Sequence, residues 1–98
     1  MKRPPARSWW VYLVRRGDGA LYAGIALDVA RRLAEHEAGQ GSKALRGRGP
    51  LRLVLRRRVG DRGRALRIEA QLKRLSKAEK ERLVRAPRAA FARLLADT

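Results

Sequence analysis

The pattern of hydrophobic and polar positions along the chain begins with two short apolar runs. The first lies within Ser8–Arg15, where strand-forming residues follow one another, and it predicts a central β-strand with two buried faces. The second is Leu21–Ile25, and Gly17-Asp18-Gly19 between the two runs is a strong turn signal. The two runs therefore predict an antiparallel hairpin.

A helical spacing of apolar residues begins directly after this hairpin. Asp28–Ala38 is expected to form a helix, with His36 on its core-facing side and Gly39 at its end. Asp28 is expected in the first turn, where a carboxylate suits the helix dipole. The Gly-rich and basic segment that follows, Gln40–Pro50, is expected to be either a flexible loop or a short helix at Lys43–Arg46.

The second half of the chain predicts one more strand and then helices. Apolar and basic residues alternate loosely over Leu51–Val59, which favours a third strand, and Arg62–Leu75 has helical spacing. Ser76 and Glu79 have the spacing of a capping box at the start of another helix, which Pro87 breaks before a last helix. The expected fold class is α+β, with a three-stranded antiparallel sheet covered by helices.

The length of 98 residues fits one domain with a modest core, expected over residues 8–98. Met1–Arg7 is basic and Pro-rich and is expected to be a flexible arm. It is not expected to be a signal peptide, because no apolar stretch of that type follows it. No apolar run in the sequence approaches the roughly 18 residues of a membrane span.

The charge balance points to a polyanionic partner. The chain has 25 Lys and Arg against 9 Asp and Glu, a formal net charge of +16. Such a field favours nucleic acid as the partner, and neither a membrane nor a small-molecule cofactor is expected. The absence of cysteine excludes disulfides and Cys-based zinc sites and is compatible with the cytoplasm, which is the expected location.

Two tyrosines, an arginine and the single histidine fall within the hairpin and the first helix. They are Tyr12, Tyr22, Arg32 and His36. Each also has an ordinary structural explanation, because tyrosine is a good strand residue and Arg32 can pair with Asp28 on the helix. A lone histidine on an apolar face is often a core residue that is hydrogen-bonded to the backbone.

This arrangement resembles the GIY-YIG nuclease family. Val11-Tyr12-Leu13 and Tyr22-Ala23-Gly24 stand where that family has its first and second motifs, and Arg32 and His36 follow at the family's spacing. The segment from Gly41 and the helix around Glu69 are similar to the family's small stand-alone (UPF0213-like) branch. One departure is that the chain has no asparagine, whereas larger relatives carry one near the site.

The resemblance implies that Glu69 holds a divalent metal ion, Mg²⁺ or Mn²⁺. Such hard cations take oxygen ligands, and one carboxylate with water and substrate phosphate can suffice. The alternative for Glu69 is an ordinary ion pair with Lys73, one helical turn further on.

The resemblance also assigns catalytic roles to the aromatic and basic residues. Tyr12 and Tyr22 line the active site, and one of them takes the proton from the attacking water. A phenol with its usual pKa of about 10 is a poor base at neutral pH, and nearby cations are expected to lower that pKa. Arg32 holds the scissile phosphate, and His36 acts as a proton carrier or a phosphate contact. The two tyrosines are therefore expected on one face of the sheet, with Arg32 and Glu69 completing a cleft.

Five further positions are expected to contact nucleic acid, namely Gly24, Lys43, Arg46, Arg48 and Lys73. Gly24 would let substrate or the start of the helix approach the strand closely. The basic loop residues can equally belong to a solvated connector.

Taken with this resemblance, the sequence predicts a divalent-metal-dependent endonuclease that hydrolyses phosphodiester bonds in DNA, with DNA as the expected partner. The alternative is a non-catalytic module that binds DNA or RNA, which the charge supports equally well because phosphate neutralisation does not depend on sequence.

Overall fold

The strand Trp9–Arg15 (β1) lies at the centre of a three-stranded antiparallel sheet. Its neighbours are Leu21–Ala26 (β2) and Arg52–Gly60 (β3), in the order β2-β1-β3. The helices are Val29–Glu37 (α1), Arg62–Arg74 (α2), Lys77–Arg85 (α3) and Pro87–Ala96 (α4). The computed structural model describes residues 8–47 and 49–96. The expected α+β class, with a three-stranded antiparallel sheet covered by helices, is confirmed.

The register of the hairpin places both tyrosines on the same face of the sheet. Tyr12 lies opposite Gly24, and Val14 lies opposite Tyr22. Because side chains alternate between the two faces of a strand, Tyr12, Val14 and Tyr22 project to one side. The connecting loop, residues 16–20, has the odd length that this register requires, so the expected register is confirmed.

The two faces of the sheet are covered by different elements. On one face, Val11 and Leu13 of β1 pack in a cluster with Ile68 of α2 and with residues of α3 and α4. On the other face, Tyr12 and Val14 pack with residues of α1 and of the loop that precedes β3. The apolar sides of α1 and α2 therefore pack on opposite faces of the sheet, which matters for the position of Glu69.

Three helices begin at residues of types that favour a helix start. Asp28 is the N-cap of α1, where its side chain accepts a hydrogen bond from the Arg31 N–H, so it precedes the first turn in which it was expected. Ser76 and Glu79 form the expected capping box of α3. Pro87 begins α4, a position where its missing N–H costs nothing.

The segment between α1 and β3 is neither a free loop nor a regular helix. It contains two consecutive turns, in which the Leu45 N–H donates to Ser42 and the Arg46 N–H donates to Lys43. Leu45 is 2% exposed and belongs to the cluster on the Tyr12 face. This buried leucine holds the basic segment against the sheet.

β3 lies at an edge of the sheet and carries three consecutive arginines. Arg56, Arg57 and Arg58 are exposed, and within the described ranges β3 pairs with β1 alone. No helix in the described part of the chain has the length and apolarity that a bilayer crossing requires.

Candidate active site

Tyr12 is a buried phenol that lies across the neighbouring strand. Its relative exposure is 2%, and a Cβ atom added at Gly24 would overlap its phenol oxygen. The expectation that Gly24 leaves room for substrate or for the helix start is therefore wrong, because the Tyr12 side chain occupies that space. Gly24 is itself buried, so its contribution to the site is to admit the phenol.

His36 binds the Tyr12 phenol with one ring nitrogen and the backbone with the other. Its Nε2 atom lies 2.9 Å from the phenol oxygen, and its Nδ1 atom accepts a hydrogen bond from the Ser42 N–H at 3.2 Å. Because a backbone N–H can only donate, Nδ1 carries no proton, and in the neutral ring Nε2–H donates to the oxygen of Tyr12. The position expected for His36, on the core-facing side of the helix, matches its 2% exposure.

The environment of His36 favours the neutral ring. Burial lowers the pKa of His36 from its usual value, the nearby Arg32 guanidinium lowers it further, and Glu35 acts weakly in the opposite direction. The imidazole is consequently unprotonated at neutral pH and acts on Tyr12 as a hydrogen-bond donor through Nε2.

The pKa of Tyr12 is raised, whereas nearby cations were expected to lower it. Burial, followed by the neighbouring Tyr22, raises the pKa of Tyr12 to about 12. Arg32 acts to lower it, but removal of the phenolate from water outweighs this attraction. The expectation of a lowered pKa is therefore wrong for Tyr12, which remains a protonated phenol at neutral pH.

Arg32 lies beside this phenol and is oriented from its own helix. Its guanidinium Nη1 donates to Glu35 Oε1 at 3.0 Å, and the Tyr12 hydroxyl and the guanidinium interact closely enough to shift each other's pKa. The structural alternative of a pair with Asp28 is not what the described contacts show, since Asp28 caps the helix instead. The Arg32 side chain is 41% exposed, so part of it remains accessible to a phosphate.

Tyr22 is the more accessible of the two phenols. It is half-buried and meets His36 edge to face, with ring centroids 5.9 Å apart and an angle of 73° between the rings. Tyr12 and His36 are tilted at 52° with centroids 6.3 Å apart. The histidine thus lies between the two tyrosines.

Glu69 approaches the site from the other side of the sheet. It belongs to α2, whose apolar side packs on the sheet face opposite to Tyr12 and Tyr22, and the expected cleft between the tyrosines and Glu69 stays a prediction. Its negative charge is nevertheless the smallest of the contributions that raise the Tyr12 pKa, so the carboxylate lies within electrostatic range of the phenol. Its side chain is 17% exposed, and its Oε2 lies 3.5 Å from Lys73 Nζ.

The donor set around Glu69 fits one hard cation held by few protein ligands. No group of three or more His, Cys, Asp or Glu side chains suited to a metal occurs among residues 8–47 and 49–96. In the same ranges no hydrogen bond to the Glu69 carboxylate is found, and the ion pair with Lys73, the structural alternative for Glu69, is present at 3.5 Å. One half-buried carboxylate with free lone pairs suits a cation whose other ligands are water and phosphate oxygens.

The residues expected to contact nucleic acid are divided between the two sheet faces. Lys43 and Arg46 are exposed on either side of the buried Leu45, so they lie on the face of Tyr12. Lys73 is 54% exposed on α2, on the opposite side. Arg48 lies outside the described residues.

Two residues that support the histidine were missed by sequence reasoning. A Cβ atom at Gly41 would overlap the His36 ring, and the Ser42 N–H fixes its Nδ1 atom. The signal that could have identified them is a Gly-Ser pair shortly after a helix with a histidine on its apolar side, since a glycine permits a close approach of backbone to ring.

A comparison with known protein families identifies the family of this chain. The family model described as the GIY-YIG catalytic domain matches residues 8–82, a range that contains every candidate catalytic residue. The chain belongs to the GIY-YIG family. Membership in this family suggests nuclease activity on nucleic acid, and GIY-YIG nucleases generally use divalent metal ions.

Curated relatives of this GIY-YIG protein bear the name UPF0213, which states no specific function. A UPF0213 protein of Aeromonas salmonicida is 57% identical over 84 residues, which cover 86% of this chain and 62% of the relative. The UPF0213 protein YhbQ of Salmonella typhimurium is 54% identical over 89 residues, which cover 91% of this chain and 88% of YhbQ. The chain thus spans less than two thirds of the Aeromonas protein.

Solved structures of similar proteins share the fold. The solution structure of a UPF0213 protein from Bacillus halodurans has a TM-score of 0.53 and 41% identity, and the match covers 80% of this chain and 83% of that one. A solution structure of a protein from E. faecalis has a TM-score of 0.61 and 28% identity, and the match covers 91% and 93%. The expected resemblance to the small UPF0213-like branch is confirmed.

Proposed function

We propose that the protein is a divalent-metal-dependent endonuclease that hydrolyses phosphodiester bonds in DNA. The observation that supports this most directly is the chain of contacts from His36 to the Tyr12 phenol and on to the Arg32 guanidinium. A hydrogen-bonded phenol beside a partly exposed guanidinium forms a ready site for a phosphate, because both groups can donate to its oxygens.

Arg32 binds the scissile phosphate. Its contact with Glu35 restrains the side chain at one end, so less rotational freedom is lost when the guanidinium meets a phosphate. A positively charged group in this position also offsets the negative charge that develops on the phosphate during displacement.

The two tyrosines have different roles in this proposal. Tyr12 accepts a hydrogen bond from His36 and has a raised pKa, so its own O–H remains available to donate to a phosphate oxygen. Tyr22 is half-buried and reachable by water, which makes it the better candidate to receive the proton of the attacking water. His36 orients Tyr12, and burial keeps the phenol protonated.

Glu69 is the residue that would hold the metal ion, for which Mg²⁺ or Mn²⁺ is proposed. A bound divalent cation would supply positive charge that polarises the phosphate and stabilises the leaving oxygen. The exposed Lys43 and Arg46, with Lys73 and Arg48, would attract the nucleic-acid backbone. A cytoplasmic location is part of the same proposal, in agreement with a chain that has no cysteine.

The test is incubation of the purified protein with plasmid DNA and with single-stranded DNA, in Mg²⁺, in Mn²⁺ and in EDTA. Cleavage that requires the metal and is lost in EDTA is the expected result. A salt-sensitive gel shift without cleavage under any of these conditions would instead select the second candidate, a non-catalytic nucleic-acid-binding module. The net charge of +16 supports that candidate.

A further inference from the structure

A cleft beside Arg32 holds an aromatic ring that the proposed chemistry does not use. Its volume is about 400 Å³, and Trp9, Arg31, Arg32, Glu35 and Arg62 are among the residues that line it. The cleft brings the start of β1, the first turns of α1 and the start of α2 together at the β2 side of the sheet. A group bound in it would lie directly next to the proposed phosphate site.

One of the residues that line this cleft is Trp9, whose indole ring has a guanidinium over it. The guanidinium carbon of Arg62 lies 5.5 Å from the centre of the Trp9 ring. Trp9 is half-buried against the core, whereas Arg62 is exposed on the first turn of α2 and makes no ion pair within residues 8–47 and 49–96. A planar group therefore already lies over the indole face, and no ion pair within the described ranges holds the side chain that supplies it.

We infer that this cleft binds an unpaired nucleobase next to the scissile phosphate, stacked on Trp9. A nucleobase is planar like the guanidinium and stacks well on indole, and Arg62, once displaced from the ring, would contact the adjacent phosphate. Glu35 already neutralises part of the charge of Arg31 and Arg32, which favours a neutral base in the cleft over a second phosphate.

This inference rests on the proposed function and narrows its substrate class. Bases within a duplex are stacked on one another and are unavailable to a protein ring unless they are extruded. Nucleic acid with unpaired nucleotides, either a single strand or a junction with an unpaired arm, is therefore the preferred substrate.

The chain contains a matched control for the Trp9 site. Trp10 also has a guanidinium over its ring, that of Arg56 at 5.4 Å, but it projects from the opposite face of β1 and does not line this cleft. The two tryptophans are the only ones in the sequence, so replacing one leaves the other as the sole indole fluorophore.

The decisive measurement follows indole emission during DNA binding. Trp10→Phe retains Trp9, and Trp9→Phe retains Trp10. Each variant is titrated, without metal, with a single-stranded thymidine oligonucleotide and with an abasic oligonucleotide that has the same number of phosphates. Binding is followed separately by the anisotropy of a label on the oligonucleotide.

Trp9 emission is expected to be quenched by the thymidine oligonucleotide and to change little with the abasic one, and Trp10 emission is expected to respond weakly to both. An equal response of Trp9 to both oligonucleotides would overturn the inference, because phosphates alone would then explain it. A response confined to Trp10, or no binding of either oligonucleotide, would also overturn it.

A second pair of variants measures the contribution to affinity. Trp9→Leu keeps an apolar side chain against the core but removes the aromatic plane, and it should weaken binding of the thymidine oligonucleotide on the order of tenfold to a hundredfold. Trp10→Leu should have a much smaller effect, and neither variant should alter binding of the abasic oligonucleotide. Equal losses for both oligonucleotides in Trp9→Leu would contradict base stacking.

These outcomes separate the base site from the proposed nuclease activity. If the thymidine oligonucleotide quenches Trp9 emission but the protein cleaves no DNA with Mg²⁺ or Mn²⁺, the base site is supported and the proposed nuclease function is refuted. Metal-dependent cleavage without a change in Trp9 emission would support the nuclease function and refute the base site.

Discussion

The Nε2 atom of His36 lies 2.9 Å from the phenol oxygen of Tyr12, and this contact joins α1 to the central strand of the sheet. The other ring nitrogen is fixed by the Ser42 N–H, so the loop after α1 also sets the position of the phenol. A strand, a helix and a loop must all be in place before the Tyr12 hydroxyl has its final orientation. The proposed active site is therefore sensitive to changes at residues that touch no substrate.

Gly24→Ala tests the packing of the Tyr12 phenol. The added methyl group would overlap the Tyr12 hydroxyl, so the phenol must move away from His36. We expect a loss of about 1–3 kcal/mol in the free energy of unfolding, typical of an overpacked core, together with loss of cleavage. Urea unfolding followed by tryptophan fluorescence gives the stability.

The control for Gly24→Ala is Gly63→Ala. In that variant the new methyl group would meet only the end of the Arg67 side chain and the cap carboxylate, at 3.5 Å. It should be neutral or stabilising by up to about 1 kcal/mol, because alanine is the better helix former. Equal stability of the two alanine variants would contradict the close approach of Tyr12 to β2.

The lowered pKa of His36 predicts a pH dependence of stability. The unfolded chain takes up a proton near the ordinary pKa of about 6.5, whereas the folded protein takes it up only at lower pH. The free energy of unfolding should therefore be highest above this pH and fall as pH decreases through it, by at most about 1.4 kcal/mol per pH unit. His36→Gln should flatten this part of the profile.

Chemical unfolding at a series of pH values checks the His36 prediction. The chain has one histidine, so no other side chain has an ordinary pKa in this interval. Stability that rises as pH is lowered from neutral would contradict a buried, neutral imidazole.

The sheet face shared by the two tyrosines could be predicted from the sequence, but the burial and the raised pKa of Tyr12 could not. The resemblance implies that Tyr12 and Tyr22 share a face, and strand alternation then requires a connecting loop of odd length or a bulge. The raised pKa of Tyr12 arises from burial under α1 and the loop that carries Leu45, elements brought together only by tertiary packing.

The same distinction applies to Gly41 and Glu69. The helical pattern correctly places Glu69 beside the apolar side of α2, but it contains no information about which sheet face α2 covers. The contact of Gly41 with His36 depends on the path of a loop, for which no periodicity exists. Local patterns thus predicted the elements and their order, and long-range packing decided how the site is assembled.

Glu69→Gln separates catalysis from binding at one residue. The variant keeps the shape of the side chain and removes the charge, so metal-dependent cleavage should fall by orders of magnitude. DNA binding without metal should be unchanged or slightly tighter, because a charge that repels phosphate is gone. Stability should fall by no more than about 1 kcal/mol, since the pair with Lys73 is long at 3.5 Å and its lysine is 54% exposed.

Cleavage and filter-binding assays on the same preparation measure both effects of Glu69→Gln. Glu37→Gln, at an exposed position near the end of α1, is the matched control and should cleave normally. Near-normal metal-dependent cleavage by Glu69→Gln would refute the proposed metal ligand even if the protein is a nuclease.

The net charge of +16 predicts a steep salt dependence of DNA affinity. If about six phosphates are contacted, the affinity should fall roughly a thousandfold between about 50 and 200 mM salt. Lys43→Gln and Arg46→Gln should each reduce the slope of log affinity against log salt by about 1. Lys77→Gln is the control, because Lys77 is already paired with Glu81 at 3.0 Å. A flat dependence would argue against a backbone-dominated interface.

The arginines on the outer strand β3 have a consequence for handling the protein. An open strand edge can pair with the edge of a second molecule, and a row of like charges prevents this by repulsion. That repulsion reaches about 10 Å at 0.1 M salt but only about 3 Å at 1 M. Concentrated salt, which would strip bound nucleic acid during purification, therefore also removes the protection of this edge, and self-association should appear there first.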